Sequence, residues 1–149
     1  MEYEVQVIRL DEQPAAVVRG RVAAGGIPEF LGGAFGEVLA VVGGAQGVAG
    51  PPMARYEMEG DDFAIEAGFP VRQPIEPTGR VEQVALPGGM AATTMHVGPY
   101  EGLAAAYRAV EEWIAGSTWE QAGPPWESYL DDPEVAAPRT VVTWPCRST

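Results

Sequence analysis

Ala122-Gly-Pro-Pro-Trp-Glu-Ser-Tyr129 repeats, 73 residues further on, the pattern of Ala49-Gly-Pro-Pro-Met-Ala-Arg-Tyr56. Each copy is a proline-rich turn running into a short stretch that ends on tyrosine. The segments ahead of the two turns repeat as well. At an offset of 72, Gly26 pairs with Gly98, Glu29 with Glu101, Leu31 with Leu103, Phe35 with Tyr107 and Val38 with Val110. A shared helix face followed by the same turn and the same tyrosine marks an internal duplication, with halves of about 1–75 and 76–149.

Working outward, each half reads strand-strand-helix-strand-strand. Val5–Leu10 alternates apolar and polar residues, and Pro14–Val22 reads as a second strand. Ile27–Val42 carries Phe30, Leu31, Phe35, Val38, Leu39 and Val42 at helical spacing. Gly32 and Gly33 weaken that helix by about 1 kcal/mol each, and Gly43-Gly44 ends it. Met53–Met58 and Phe63–Val71 are strands joined by the acidic turn Glu59-Gly-Asp-Asp62. In the second half, Gly79–Leu86 and Ala91–Val97 read as strands, and Glu101–Ala115 as a helix with Leu103, Tyr107, Val110 and Ile114 on one face. Pro125–Leu130 and Arg139–Trp144 are short strands, separated by the turn Asp131-Asp-Pro133. A half of about 70 residues buries too little apolar surface to stand alone. The expected fold is therefore α+β, a single domain over 1–149: two duplicated modules forming one antiparallel sheet with two main helices, and a ligand cleft between the modules.

Composition narrows the chemistry. The chain has 149 residues, 9 basic against 21 acidic, for a net charge of −12. Every basic residue is arginine, and lysine and asparagine are absent. That excludes a Schiff-base lysine and a Walker-type phosphate loop. One histidine, His96, and one cysteine, Cys146, leave no zinc site of the usual ligand types, and nothing implies a cofactor. None of the three serines, Ser117, Ser128 and Ser148, sits in a G-x-S-x-G setting. The acidic balance argues against nucleic acid and against an anionic membrane surface. No apolar run approaches the roughly 20 residues of a membrane span, and an N-terminus with Glu2 and Glu4 is no signal peptide. The expected location is the cytoplasm.

Strand alternation picks out the chemistry-bearing candidates. In Trp126-Glu-Ser-Tyr129 it places Glu127 and Tyr129 on one face and Trp126 and Ser128 on the other. The first half has Ala54 where the second has Glu127, so a break in the repeat marks this carboxylate. Facing the cleft, Glu127 would be desolvated and would take a ligand cation as its partner. Facing solvent on an edge strand, it would do neither, and periodicity alone leaves both open. Tyr56, Tyr107, Tyr129, Trp113, Trp119, Trp126 and Trp144, with Phe35, are core or rim aromatics that together supply walls for such a cation. Trp119 lies in the polar loop Ser117-Thr-Trp-Glu120, where it either covers a cleft or docks on the core. Glu66 is either a second pocket carboxylate or part of the solvated face of its strand. His96, just before Gly98-Pro-Tyr100, fits hydrogen bonding to turn backbone better than general-base work.

Several pieces together resemble the GyrI-like small-molecule-binding domain, found also as the effector-binding domain of AraC- and MerR-type multidrug regulators. They are His96-Val-Gly-Pro-Tyr100, Gly123-Pro-Pro-Trp-Glu-Ser-Tyr129 with Asp132-Pro133, Pro52-Met-Ala-Arg-Tyr56, and Phe63-Ala-Ile-Glu-Ala-Gly-Phe-Pro-Val71. The resemblance implies a duplicated strand–helix–two-strand fold with a pocket for bulky, aromatic, cationic compounds. It places the acidic pocket residue at Glu127, with Tyr129, and makes Tyr56 the equivalent tyrosine of the first module. It implies three functions: a stand-alone drug or toxin binder; a hydrolase of cyclopropane-bearing toxins with Glu127 as the catalytic acid or base; or a protein-interaction module acting on a partner such as DNA gyrase.

Overall fold

The computed structural model describes residues 3–132 and 134–149. Glu2 and Pro133, both used above, lie outside the described residues. The fold is α+β, built from antiparallel strands and two main helices. The chain forms two compact units, Glu12–Leu86 and residues 1–11 with 87–149.

In the unit Glu12–Leu86, β1 Gln6–Leu10 takes no part; the unit starts with β2 Gln13–Val22. Helix α1 Ile27–Val42 follows, then the hairpin β3 Met53–Glu59 and β4 Asp62–Pro70, then β5 Val81–Leu86. All pairs are antiparallel, in the order β5-β2-β4-β3. Helix α1 packs on β2 and β4, and the ring of Phe35 meets that of Phe69 edge-on at 5.7 Å. Directly paired residues share a face of the sheet, so Ile65, Ala67 and Phe69 face the helix along with Ala54. Gly43 ends α1 as expected: at φ +83° it adopts the left-handed cap, and its N–H reaches the Leu39 carbonyl.

The other unit joins β1 to β6 Gly89–Val97, α2 Leu103–Ala115, β7 Trp119–Gln121, β8 Trp126–Tyr129 and β9 Arg139–Ser148. Its sheet runs β1-β6-β9-β8, antiparallel throughout, with β7 on the far end of β9. Leu103, Ala106, Val110 and Ile114 form the buried face of α2. They close a core with Ala92, Val142, Trp144 and Cys146. A tight turn at Tyr100–Gly102 leads into α2, so the α-helix proper starts two residues later than the spacing predicts.

Four expectations need amending. The compact units differ from the halves 1–75 and 76–149, because β1 belongs with β6 and β5 with β2. A repeat in sequence does not dictate which half a strand hydrogen-bonds to. Ser117 and Thr118 are loop, but Trp119 and Glu120 are strand: Trp119 opens β7, pairing with Ser148, and packs against the α2 core. Strand β9 runs on past Trp144 to Ser148, since Pro145 still offers its carbonyl, to the Ala122 N–H. Finally, the helical stretch Ala24–Val42 has a mean hydropathy of 1.3 and is long and apolar enough to cross a membrane by length and composition. In the fold it lies along β2 and β4, and it carries Glu29 and Glu37.

Candidate functional site around Glu127

Strand β8 pairs with β9 so that Glu127 stands opposite Val142 and Tyr129 opposite Thr140. Val142 belongs to the core under α2, which fixes the direction of Glu127: inward, beneath the helix. It is 7% exposed. The solvated-edge alternative is therefore excluded for this residue. Trp126, one residue earlier, is buried on the opposite face of the strand.

A carboxylate taken out of water needs its oxygens satisfied. The Tyr107 hydroxyl, from α2, donates to Glu127 Oε2 at 2.6 Å. The Tyr129 hydroxyl donates to Oε1 at 2.7 Å. Both are short, as expected of phenols donating to an ionised acceptor. Among the described residues no arginine forms an ion pair with this carboxylate. Burial pushes the Glu127 carboxyl above the usual carboxylate range, against the two phenol hydrogen bonds and the nearby His96, which hold it down. Tyr107 is fixed in turn by its ring, edge-on to Trp144 at 6.0 Å.

His96 lies two strands over on the same face, opposite Thr140, and is 4% exposed. Its Nε2 is 2.8 Å from the Pro99 carbonyl and its Nδ1 2.8 Å from the Tyr3 hydroxyl. A carbonyl only accepts, so Nε2 carries the proton and Nδ1 accepts from Tyr3 when the ring is neutral. This is the backbone-bonding role expected of His96, with the addition of Tyr3. Tyr100 stands next in line, its ring 5.9 Å from that of Tyr129. Tyr3 and Tyr100 are not among the sequence candidates; Trp144 is, and it lies in the α2 core. The motif His96-Val-Gly-Pro-Tyr100 was the available signal for Tyr100; nothing local pointed to Tyr3, which sits 93 residues from His96.

The remaining candidates lie elsewhere. Trp119 is at the edge of the α2 core. Phe35 and Tyr56 belong to the other unit, packed against Phe69 and Phe63. Glu66 faces away from α1, between its cross-strand neighbours Arg19 and Arg55. It accepts from Arg19 Nε at 2.9 Å and from Arg55 Nε at 2.7 Å. An open groove of about 270 Å³ runs beside this ion-pair row, lined by Arg19, Arg55, Glu57 and Glu66 among others. A second, of about 240 Å³, is lined by Pro99, Tyr100, Glu101, Val135, Ala136 and Pro138.

The resemblance places an acidic pocket residue at Glu127 with Tyr129; here that acid is buried on a strand led in by the Gly-Pro-Pro turn, and neither groove above is lined by it. The family model of the GyrI-like small molecule binding domain matches residues 3–144. The chain belongs to the GyrI-like family. No curated protein matches it. Among solved structures, the EcmrR C-terminal domain superposes with a TM-score of 0.82 at 19% identity, over the full length of both chains. The chain spans 58% of EcmrR as seen in its complex with DNA. A hydrolase from Listeria innocua aligns with a TM-score of 0.68 at 16% identity, over 97% of this chain and 92% of that one. SAV2435 bound to tetraphenylphosphonium aligns with a TM-score of 0.68 at 13% identity, over 99% and 94%. These likenesses establish the fold of this GyrI-like domain.

Proposed function

We propose that this GyrI-like domain captures bulky aromatic cations, with the Glu127 carboxylate as the counter-charge. One observation carries the reading: Glu127 is buried, with its two oxygens held by tyrosine hydroxyls and not by a basic side chain. An acid in that setting gains more from a ligand cation than a surface carboxylate does, because water no longer screens the attraction. The surrounding rings add cation–π attraction of about 0.5–2 kcal/mol each. The SAV2435 structure, with its bound lipophilic phosphonium, supports the same class of ligand. The net charge of −12 adds a general, salt-screened attraction for cations. Isothermal titration calorimetry with tetraphenylphosphonium tests this. Glu127→Gln is expected to weaken the cation by at least tenfold and a neutral tetraphenyl analogue by less than twofold. Equal loss of both removes the electrostatic argument.

A second reading uses the same group in its protonated form. Because burial raises its pKa, Glu127 keeps a proton to higher pH than a surface glutamate, and in this reading donates it to an opening strained ring. The Listeria innocua neighbour, described as a hydrolase, supports keeping it. Incubation with a cyclopropane-bearing toxin then yields the ring-opened water adduct over many turnovers; toxin recovered intact from excess protein rejects it for that substrate.

A further inference from the structure

Beneath α2 the sheet carries polar side chains on its inner face. Thr140 of β9 stands opposite His96 of β6 on one side and opposite Tyr129 of β8 on the other. Directly paired residues share a face. Thr140 also shares the face of Val142, two residues on, which belongs to the core under α2. The next row along the same strands is Thr94, Val142 and Glu127. Thr140 is therefore the direct neighbour of the tyrosine that donates to Glu127, one row from the carboxylate itself.

Every polar side chain in these two rows but one is partnered. His96 uses both ring nitrogens, on Pro99 and Tyr3. The Thr94 hydroxyl donates to the Glu4 carbonyl at 2.8 Å, and Glu127 accepts from Tyr107 and Tyr129. Thr140 is the exception. It is 0% exposed, and among the described residues its hydroxyl has no hydrogen-bond partner. The other buried side-chain oxygen in that state, Glu82 Oε1 of the other unit, still lies 2.6 Å from Arg19 Nη1. An unpaired hydroxyl out of water costs stability. Valine, equally β-branched and present next door at Val141 and Val142, fills such a strand position without that cost. The hydroxyl is of no use to the fold; a partner from outside the chain gives it one.

The turn Tyr100–Gly102 covers the row. Gly102 lies against the His96 ring, where a Cβ would stand 2.8 Å from Cε1, and the Tyr100 ring rests 5.9 Å from that of Tyr129. Tyr100 is itself 38% exposed, so on this side the row lies one residue layer from solvent.

We propose that Thr140 is a specificity-determining residue of the Glu127 site, its hydroxyl taking an alcohol group on a cation drawn in by the carboxylate. The inference rests on the cation-binding reading above and adds a chemical preference to it. Of two cations equal in charge and outline, the one bearing a hydroxyl gains a bond at Thr140. A threonine hydroxyl both donates and accepts, so it suits an alcohol in either sense.

The test uses matched phosphoniums on the full chain, by calorimetry. They are (hydroxymethylphenyl)triphenylphosphonium and (ethylphenyl)triphenylphosphonium, each as its ortho, meta and para isomer. The members of a pair differ in one hydroxyl. For at least one pair, Thr140→Val is expected to weaken the hydroxymethyl ligand relative to the ethyl one by about three- to tenfold. Thr140→Ser is expected to keep the original ratio. The ligand-free protein gives an independent readout, because an unpaired hydroxyl is removed without loss: Thr140→Val is expected to unfold in urea at the same midpoint or a higher one. A lower midpoint means that the hydroxyl is already bonded in the free protein, by a structural water, and overturns the proposal. So does a Thr140→Val protein whose ratios are unchanged for every pair. If Glu127→Gln weakens tetraphenylphosphonium while no pair responds to Thr140→Val, Thr140 falls and the cation reading stands. If the unmodified protein binds none of these phosphoniums, both fall.

Discussion

Strands β3 and β8 follow the same Ala-Gly-Pro-Pro turn, and each buries its second residue: Ala54 in one, Glu127 in the other. The helices of the two units carry aromatics at matching positions of the sequence repeat. Phe35 of α1 meets Phe69 edge-on at 5.7 Å, and Tyr107 of α2 meets Trp144 edge-on at 6.0 Å. Packing is thus alike in the two places, and what differs is chemical. One helix ring carries a hydroxyl and the other does not, and the hydroxyl is found where the carboxylate is. Ala54 shows what the fold alone accepts at this position. At Glu127 the acid stands together with a hydrogen-bond donor on its helix, Tyr107.

The harshest way to break this comparison is to copy the acid without its donor. Ala54→Glu puts a carboxyl at a position with no exposure, in the unit whose helix has Phe35 at the place in the repeat that Tyr107 takes in α2. It is expected to lower stability by about 3–5 kcal/mol in urea denaturation. Adding Phe35→Tyr is expected to restore about 1 kcal/mol or more. An Ala54→Glu protein as stable as the original would mean that the donor is not what makes position 127 tolerable.

Next in size, Tyr107→Phe leaves Glu127 with one donor. Stability is expected to fall by about 1–3 kcal/mol with Glu127 present, and by clearly less in the Glu127→Gln background. A double-mutant cycle measures the coupling; a coupling near zero would separate the two residues. The smallest effect on affinity belongs to Glu66. It pairs with Arg19, 59% exposed, and with Arg55, 16% exposed, and its own side chain is 19% exposed. Glu66→Gln is expected to lower stability by about 1–2 kcal/mol, because the half-buried Arg55 loses its charged partner, and to leave tetraphenylphosphonium affinity unchanged. A large loss of affinity would return Glu66 to the ligand site.

Much of this was legible in the sequence because it is local. Apolar spacing and the glycine after Val42 set α1 to the residue, and the period of two in Trp126–Tyr129 placed Glu127 and Tyr129 on one face. Which face was inside was not legible. It depends on β9 lying next to β8, with Val142 opposite Glu127. The exchange of β1 and β5 between the units escaped for the same reason: hydrogen-bond partners are chosen by tertiary packing, and the two copies offer strands of similar character. Trp119 looked like loop because its neighbours are polar, yet its edge-strand backbone pairs with Ser148 at the far end of the chain. The Tyr107–Glu127 and Tyr3–His96 bonds join residues 20 and 93 positions apart, and no periodicity reports on those.

The protonation state of Glu127 links its stability to its function. Its folded-state pKa is raised, so the folded protein holds this proton more tightly than the unfolded chain does. Stability therefore falls as pH rises from the ordinary carboxylate range through the raised value, and Glu127→Gln lacks that fall. Cation binding runs the opposite way, because only the ionised carboxylate attracts the ligand. Tetraphenylphosphonium affinity measured from about pH 5 to about pH 9 in the unmodified and Glu127→Gln proteins tests the central claim most directly. The expected result is an affinity that rises with pH, approaching one log unit per pH unit below the carboxyl's pKa, with a flat profile for Glu127→Gln. A flat profile in the unmodified protein, or the same rise in both, contradicts Glu127 as the counter-charge.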